Sequence, residues 1–168
     1  GLLGFAQTFS RSRPDVLVVL GDRFEMHAAA LAALPFRIPV AHVHGGEVTE
    51  GAIDDALRHS ISKLSHLHFV STAEHGRRVC QLGEEPWRVT VSGAPSLDNL
   101  RRLVPPGRTE VESRFGLRPG EEFLLVTFHP ATLDPGDPGE QARMLLSAVE
   151  RTGLPAVVTM PNVDPGNE

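Results

Sequence analysis

The fold is decided by Pro14-Asp15-Val16-Leu17-Val18-Val19-Leu20-Gly21-Asp22, an uninterrupted apolar run entered through proline and left through Gly-Asp. A run this short, without polar alternation, predicts a strand buried on both faces. Outward from it the same unit recurs. Residues 24–34 are alanine-rich and helix-forming until Pro35 stops them. Residues 38–43 then predict a strand, Gly45-Gly46 a loop, residues 53–64 a helix and residues 67–70 a strand. Ser71 or Thr72 offers an N-cap to a further helix, with Glu74 in its first turn and Gly83 at its end, and residues 89–92 predict another short strand. Alternation at these lengths implies right-handed βαβ units, and hence a parallel sheet covered by helices on both faces.

Paired prolines and arginines in Arg101-Arg102-Leu103-Val104-Pro105-Pro106-Gly107-Arg108 break the pattern and read as a hinge or linker. Beyond it, residues 123–128 predict a strand, residues 130–139 a polar loop, residues 140–151 a helix and residues 156–160 a strand. Two strands are too few to close a core, and the chain opens at Gly1 without the strand that starts a doubly wound domain. The expectation is therefore an α/β chain, incomplete at both ends. Residues 1–100 would be the C-terminal part of one Rossmann-like domain, 101–109 a linker and 110–168 the start of a second.

Composition narrows the function classes. The 168 residues carry a net charge of −5, with 16 Lys+Arg against 21 Asp+Glu. An acidic chain without a basic stripe is a poor partner for nucleic acid. No run approaches the roughly 20 apolar residues of a membrane span, and no basic-then-apolar leader is present. Cys80 is the single cysteine, so the chain can form neither a disulfide framework nor a cysteine metal site, and a reducing, cytoplasmic setting is expected.

In open parallel sheets ligands lie beyond the carboxyl ends of the strands, which directs attention to the residues just after each one. These are Gly21-Asp22-Arg23-Phe24-Glu25, His44-Gly45-Gly46-Glu47 and His129-Pro130. Asp22 could be a helix cap or a catalytic acid with equal weight; Glu25 reads as a first-turn acid favoured by the helix dipole. His42 and His44 alternate on a strand and so should face one side, with Glu47 and His59 near. That spacing has no mechanical reason to hold a metal, and no metal is expected. Gly45 and Gly46 allow a sharp turn and close approach to a ligand. Asp54 and Arg58, and Asp55 and His59, are each one helical turn apart. His66 and His68 lie toward the start of their strand and read as structural. His27, His75, Cys80 and Trp87 read as uninvolved.

Taken together, Gly21-Asp22-Arg23-Phe24-Glu25-Met26, the stretch His42-Val43-His44-Gly45-Gly46-Glu47-Val48-Thr49-Glu50-Gly51, Ile53-Asp54-Asp55-Ala56-Leu57-Arg58-His59 and Thr127-Phe128-His129-Pro130 resemble the UDP-N-acetylglucosamine 2-epimerase family, in its hydrolysing, sialic-acid-type branch. The resemblance implies a GT-B-like pair of Rossmann-like domains. It also implies conversion of UDP-N-acetylglucosamine and water to N-acetylmannosamine and UDP through a 2-acetamidoglucal, in synthesis of a nonulosonic acid such as sialic or legionaminic acid, without metal or redox cofactor. Asp22 and Asp54 match the family's catalytic acids, and His44 and Glu47 stand as alternatives for a third acid/base. Arg23, Gly45, Gly46, Arg58 and His129 are expected against the substrate, His129 near the leaving nucleotide. The full-length protein is expected to be a homo-oligomer, a dimer or tetramer, whose partner is the nucleotide sugar. The family's N-terminal Gly-Thr-Arg segment and its glycine- and serine-rich diphosphate loop have no counterpart in these residues. A non-hydrolysing epimerase and a catalytically silent sugar-nucleotide-binding fragment are the alternatives, and these 168 residues alone are expected to be inactive.

Overall fold

A computed structural model describes residues 1–131 and 133–160. The chain divides into two compact units, Gly1–Arg102 and Leu103–Glu168. The first unit runs α1 (Leu2–Arg11), β1 (Leu17–Leu20), α2 (Phe24–Ala33), β2 (Val40–Val43), α3 (Asp54–Leu64), β3 (Leu67–Val70), α4 (Ala73–Gln81), β4 (Val89–Val91) and α5 (Ser96–Arg102). Its strands form one parallel sheet in the order β1-β2-β3-β4, in register through Val19↔His42, His42↔His68 and His68↔Val89.

That order explains where the core sits. Leu17, Val19, Val40, His42, His68, Val70 and Val89 share one sheet face by register and alternation. The buried core joins Val19 and Val40 of that face to Phe9 of α1, four alanines of α2 and Ile61 of α3. α4 lies on the same face, since a Cβ on its Gly76 would meet Val70 and Val89 at 3.4 Å. The expected two-sided cover is therefore absent among the described residues. Strands added one after another in a single direction, with crossovers of one hand, put every connecting helix on one side; only a reversal of strand order covers the other. For the same reason β1 is buried on one face only: Val19 is 1% exposed, while Val18 and Leu20, pointing the other way, are 65% and 57% exposed.

Three helices escaped the sequence reading. α1 holds its place through aromatic contacts, Phe5 with Phe9 at 6.0 Å between centroids and Phe9 edge-on to Phe36 at 6.1 Å. α5 ends at Arg102 and α6 (Arg108–Phe115) begins at Arg108, so helix reaches into both ends of the stretch read as a linker and leaves residues 103–107 between them. The prolines sit in that gap, where they interrupt no helix.

The second unit continues from α6 to β5 (Leu124–Val126), α7 (Pro138–Glu150) and β6 (Ala156–Val158), with β5 and β6 parallel. Gly116, left-handed at φ 67°, ends α6, and Glu112 within it accepts from Arg108 Nε at 2.7 Å and from the Gly120 amide at 2.9 Å. α7 starts two residues before the sequence expectation because Asp137 caps it, accepting from the Gly139 amide at 2.9 Å, and Pro138 suits the first helical position.

Ile61 is 0% exposed where α3 meets the sheet. Ile61→Ala should therefore cost about 3 kcal/mol in urea unfolding of the full protein, whereas Leu97→Ala on exposed α5 should stay within about 0.5 kcal/mol. Equal small losses from both would contradict this placement of the core.

Candidate active site

Asp22, His44 and Ser71 follow the C-terminal ends of β1, β2 and β3 respectively, so three neighbouring parallel strands deliver polar side chains to one edge of the sheet. The first grouping is built on α3. Arg58, 5% exposed, donates from Nε to Asp22 Oδ2 at 2.8 Å and pairs with the same oxygen through Nη2. Nη2 also donates to Thr49 Oγ1 at 2.9 Å. Thr49 is held in turn, its amide donating to Asp55 Oδ1 at 3.3 Å. Arg58 Nη1 is buried and has no hydrogen-bond partner among the described residues.

This removes the helix-cap reading of Asp22. The cap position of α2 is Arg23, with no side-chain cap bond, and the Asp22 carboxylate turns to Arg58 instead. Arg58 accordingly pairs with Asp22 rather than with Asp54 one turn before it, while Asp55 and His59 do approach, at 3.7 Å. Asp54, half-buried, is the first residue of α3, where the helix dipole favours a carboxylate. Arg23 bonds Glu25 at 3.2 Å and lies over the Phe24 ring.

The second grouping surrounds Glu47. His44 Nδ1 lies 2.7 Å from Glu47 Oε1, and Ser71 Oγ donates to the same oxygen at 2.8 Å. His75 Nδ1 is 2.8 Å from Ser71 Oγ and 3.9 Å from Glu47 Oε1. Burial would raise the Glu47 carboxyl, but the His44 and Ser71 hydrogen bonds and the adjacent imidazoles outweigh it and hold the group below the ordinary carboxylate range. Gly46 makes the turn possible. It is left-handed at φ 78°, and a Cβ there would fall 2.3 Å from the His75 carbonyl oxygen.

His42 and His44 do not share a side, contrary to the alternation read from the sequence. β2 ends at Val43, and His44 is left-handed at φ 67°, which breaks the period of two. His42 instead points under the helices, its Nε2 2.8 Å from the Gly21 carbonyl and its Nδ1 3.1 Å from Ser62 Oγ. His75, read as uninvolved, belongs to the Glu47 group. Ser71 was open to detection by the strand-end rule; the competing signal was its candidacy as a cap, a role that Thr72 fills by accepting from the His75 amide. His66 and His68 are structural as expected, the first accepting from the Val40 amide and the second, fully buried, 3.3 Å from Glu84. His129 lies in the second unit, three residues past β5. No group of three potential metal ligands occurs among the described residues.

A sequence profile of the UDP-N-acetylglucosamine 2-epimerase family matches residues 1–168. The chain belongs to that family. Among its relatives, a hydrolysing UDP-N,N'-diacetylbacillosamine 2-epimerase of Legionella pneumophila is 39% identical over 98% of this chain and 44% of its own length. Polysialic acid biosynthesis protein P7 of Escherichia coli is 40% identical over 88% of this chain and 38% of its own. The fold matches the UDP-GlcNAc 2-epimerases of Neisseria meningitidis, bound to UDP-GlcNAc, and of Methanocaldococcus jannaschii, with TM-scores of 0.74 and 0.78 at 21% and 19% identity. Each comparison covers 99% of this chain and under half of the other, 47% and 46%. This chain thus has the Rossmann-like, GT-B-like fold expected, and spans less than half the length of the relatives it matches.

Buried His42 gives the chain an acid-sensitive element. Burial lowers its pKa from 6.5 to about 4, against the opposing pull of the Gly21 carbonyl, and the neighbouring His68 adds to the lowering. The unfolded chain therefore takes up this proton first as pH falls. Stability present above pH 6.5 is lost progressively toward pH 4 and changes no further, for this group, below it. Urea unfolding of the full protein should show a loss of about 2 kcal/mol between pH 7 and pH 5, reduced in His42→Gln. A flat profile over that interval would contradict the neutral buried imidazole.

Proposed function

We propose that the full-length protein is a hydrolysing nucleotide-sugar 2-epimerase, cytoplasmic and homo-oligomeric. Its substrate would be a UDP-activated 2-acetamido sugar, UDP-N-acetylglucosamine or a close relative such as the diacetylated sugar in the name of the Legionella protein. Its products would be UDP and the free 2-epimeric sugar, N-acetylmannosamine or its counterpart, as feedstock for a nonulosonic acid. In this reading residues 1–100 complete a first Rossmann-like domain, 101–109 connect, and 110–168 open the second. What carries the proposal is 39% identity to a hydrolysing relative across 98% of the chain.

The residues present suit the chemistry. Loss of the C2 proton and of the C1 diphosphate gives a glycal; addition of water at C1 and return of a proton to C2 from the opposite face gives the epimer. No electron is transferred overall, so the requirement is for groups that move protons and groups that hold a diphosphate. Asp22 and Asp54 are assigned to proton movement, with His44 or Glu47 as the third group. Arg23, Arg58, His129 and the Gly45-Gly46 turn are assigned to the substrate. The reading calls for no cofactor.

Product analysis by proton NMR in D2O, starting from UDP-N-acetylglucosamine and from its diacetylated relative, should show free UDP and a free 2-epimeric sugar deuterated at C2. Accumulation of an epimerised nucleotide sugar without free UDP would favour the non-hydrolysing alternative. Asp54→Asn keeps size and helix-terminal position, so a proton-transfer role predicts a fall in turnover of about 10²-fold or more with thermal unfolding nearly unchanged. Near-normal turnover would remove Asp54 from the set.

A further inference from the structure

His44, Glu47, Ser71 and His75 form one directed chain of hydrogen bonds, and the proton positions along it follow from counting donors. Glu47, held below the ordinary carboxylate range, is ionised at neutral pH and can only accept. His44 Nδ1, 2.7 Å away, must therefore carry a proton, which leaves Nε2 as the basic nitrogen of the neutral ring. Ser71 has one hydroxyl proton and gives it to Glu47 Oε1, so the 2.8 Å contact from His75 must be donated by His75 Nδ1–H. The donations from His44 and Ser71 converge on one carboxylate oxygen, Glu47 Oε1.

The backbone supports the same assignment. His44 occupies the left-handed region at φ 67°, an unfavourable choice for a residue with a side chain, of the kind that surrounding structure must enforce. Here Gly46 packs against the His75 carbonyl while Arg78 of α4 donates to the Gly46 carbonyl, pinning the turn that presents His44. His44 is partly exposed, its side chain retaining 25% of its accessible surface, and its Nε2 has no partner among the described residues.

We propose that His44, through Nε2, is the third proton-transfer group of the site, that Glu47 is its orienting carboxylate, and that Ser71 and His75 are positioning residues that fix Glu47. The inference rests on the epimerase reading above. During turnover Nε2 takes up a substrate proton to give an imidazolium balanced by Glu47, and releases it to solvent before the next cycle; the Nδ1 proton stays in its bond to Glu47 throughout.

The test uses the full-length protein. His44→Gly suits the left-handed backbone and opens a space for exogenous imidazole. We expect a fall in kcat of about 10²-fold or more with KM little changed, and at least tenfold recovery on adding imidazole. Ser71→Ala should lower kcat about three- to tenfold in the native background and have no further effect in His44→Gly, because it acts through that histidine. Absence of imidazole rescue, or an undiminished Ser71→Ala effect in the double variant, would overturn the proposal. A readout independent of turnover is nitrogen NMR of histidine-labelled protein at pH 7. It should show His44 and His75 protonated at Nδ1, with His44 Nε2 bare, whereas an Nε2-protonated neutral His44 would overturn the chain even where epimerisation is confirmed. Should the wild type release no UDP while these tautomers are observed, the hydrolysing reading fails and the hydrogen-bond chain stands.

Discussion

The ion pair between Asp22 and Arg58 is the constraint on which the ligand edge depends. A guanidinium 5% exposed cannot be left without an anion, and the nearest carboxylate lies past the end of a different element, β1. Satisfying it therefore ties the Gly21-Asp22 turn to α3. The second bond of Arg58, to Thr49, extends the tie to the loop after β2, and Asp55 steadies Thr49 from the first turn of α3. Beneath this, His42 joins the Gly21 carbonyl to Ser62, one turn beyond Arg58. The end of one strand is thus held against one helix both at the edge and under it. The turn carrying His44 and Glu47 is fastened separately, through Ser71, His75 and Arg78.

Much of this was legible in the residues, for identifiable reasons. The strands of the first unit are short apolar runs flanked by Pro, Gly or polar residues, and a parallel order follows from their alternation with helices. Asp22, His44 and Glu47 stand out in the sequence as candidates because they follow strand ends, where ligands of open parallel sheets lie. The connections were not legible. Asp22 and Arg58 are 36 residues apart, Glu47 and Ser71 24, and no local pattern relates them. Asp54 and Arg58 looked like a pair because helix periodicity is visible in sequence, whereas a bond across elements is not. His44 broke the alternation of β2 because a non-glycine residue took a left-handed conformation, which sequence rules assign to glycine first. α1 and α6 were missed for lack of strong local signals: the first is fixed by phenylalanine contacts with residue 36, and the second follows a proline pair that dominated its reading.

With all of α1 to α4 on one face, Val18 and Leu20 stand on the other with more than half their surface exposed. Exposure of this kind on an apolar strand is unusual, because a parallel sheet is ordinarily covered on both sides. Activity measurements accordingly belong with the full-length protein, whose relatives are more than twice as long as this chain.

A double-mutant cycle on Asp22 and Arg58, read as unfolding free energy in the full-length protein, tests the central constraint most directly. Asp22→Asn and Arg58→Met are each expected to destabilise, because each leaves a desolvated partner incompletely paired. The double variant should be less destabilised than their sum, by a coupling of about 2 kcal/mol. Losses that add within about 0.5 kcal/mol would show that the two residues do not act as a unit, and would contradict the account of the site built on them.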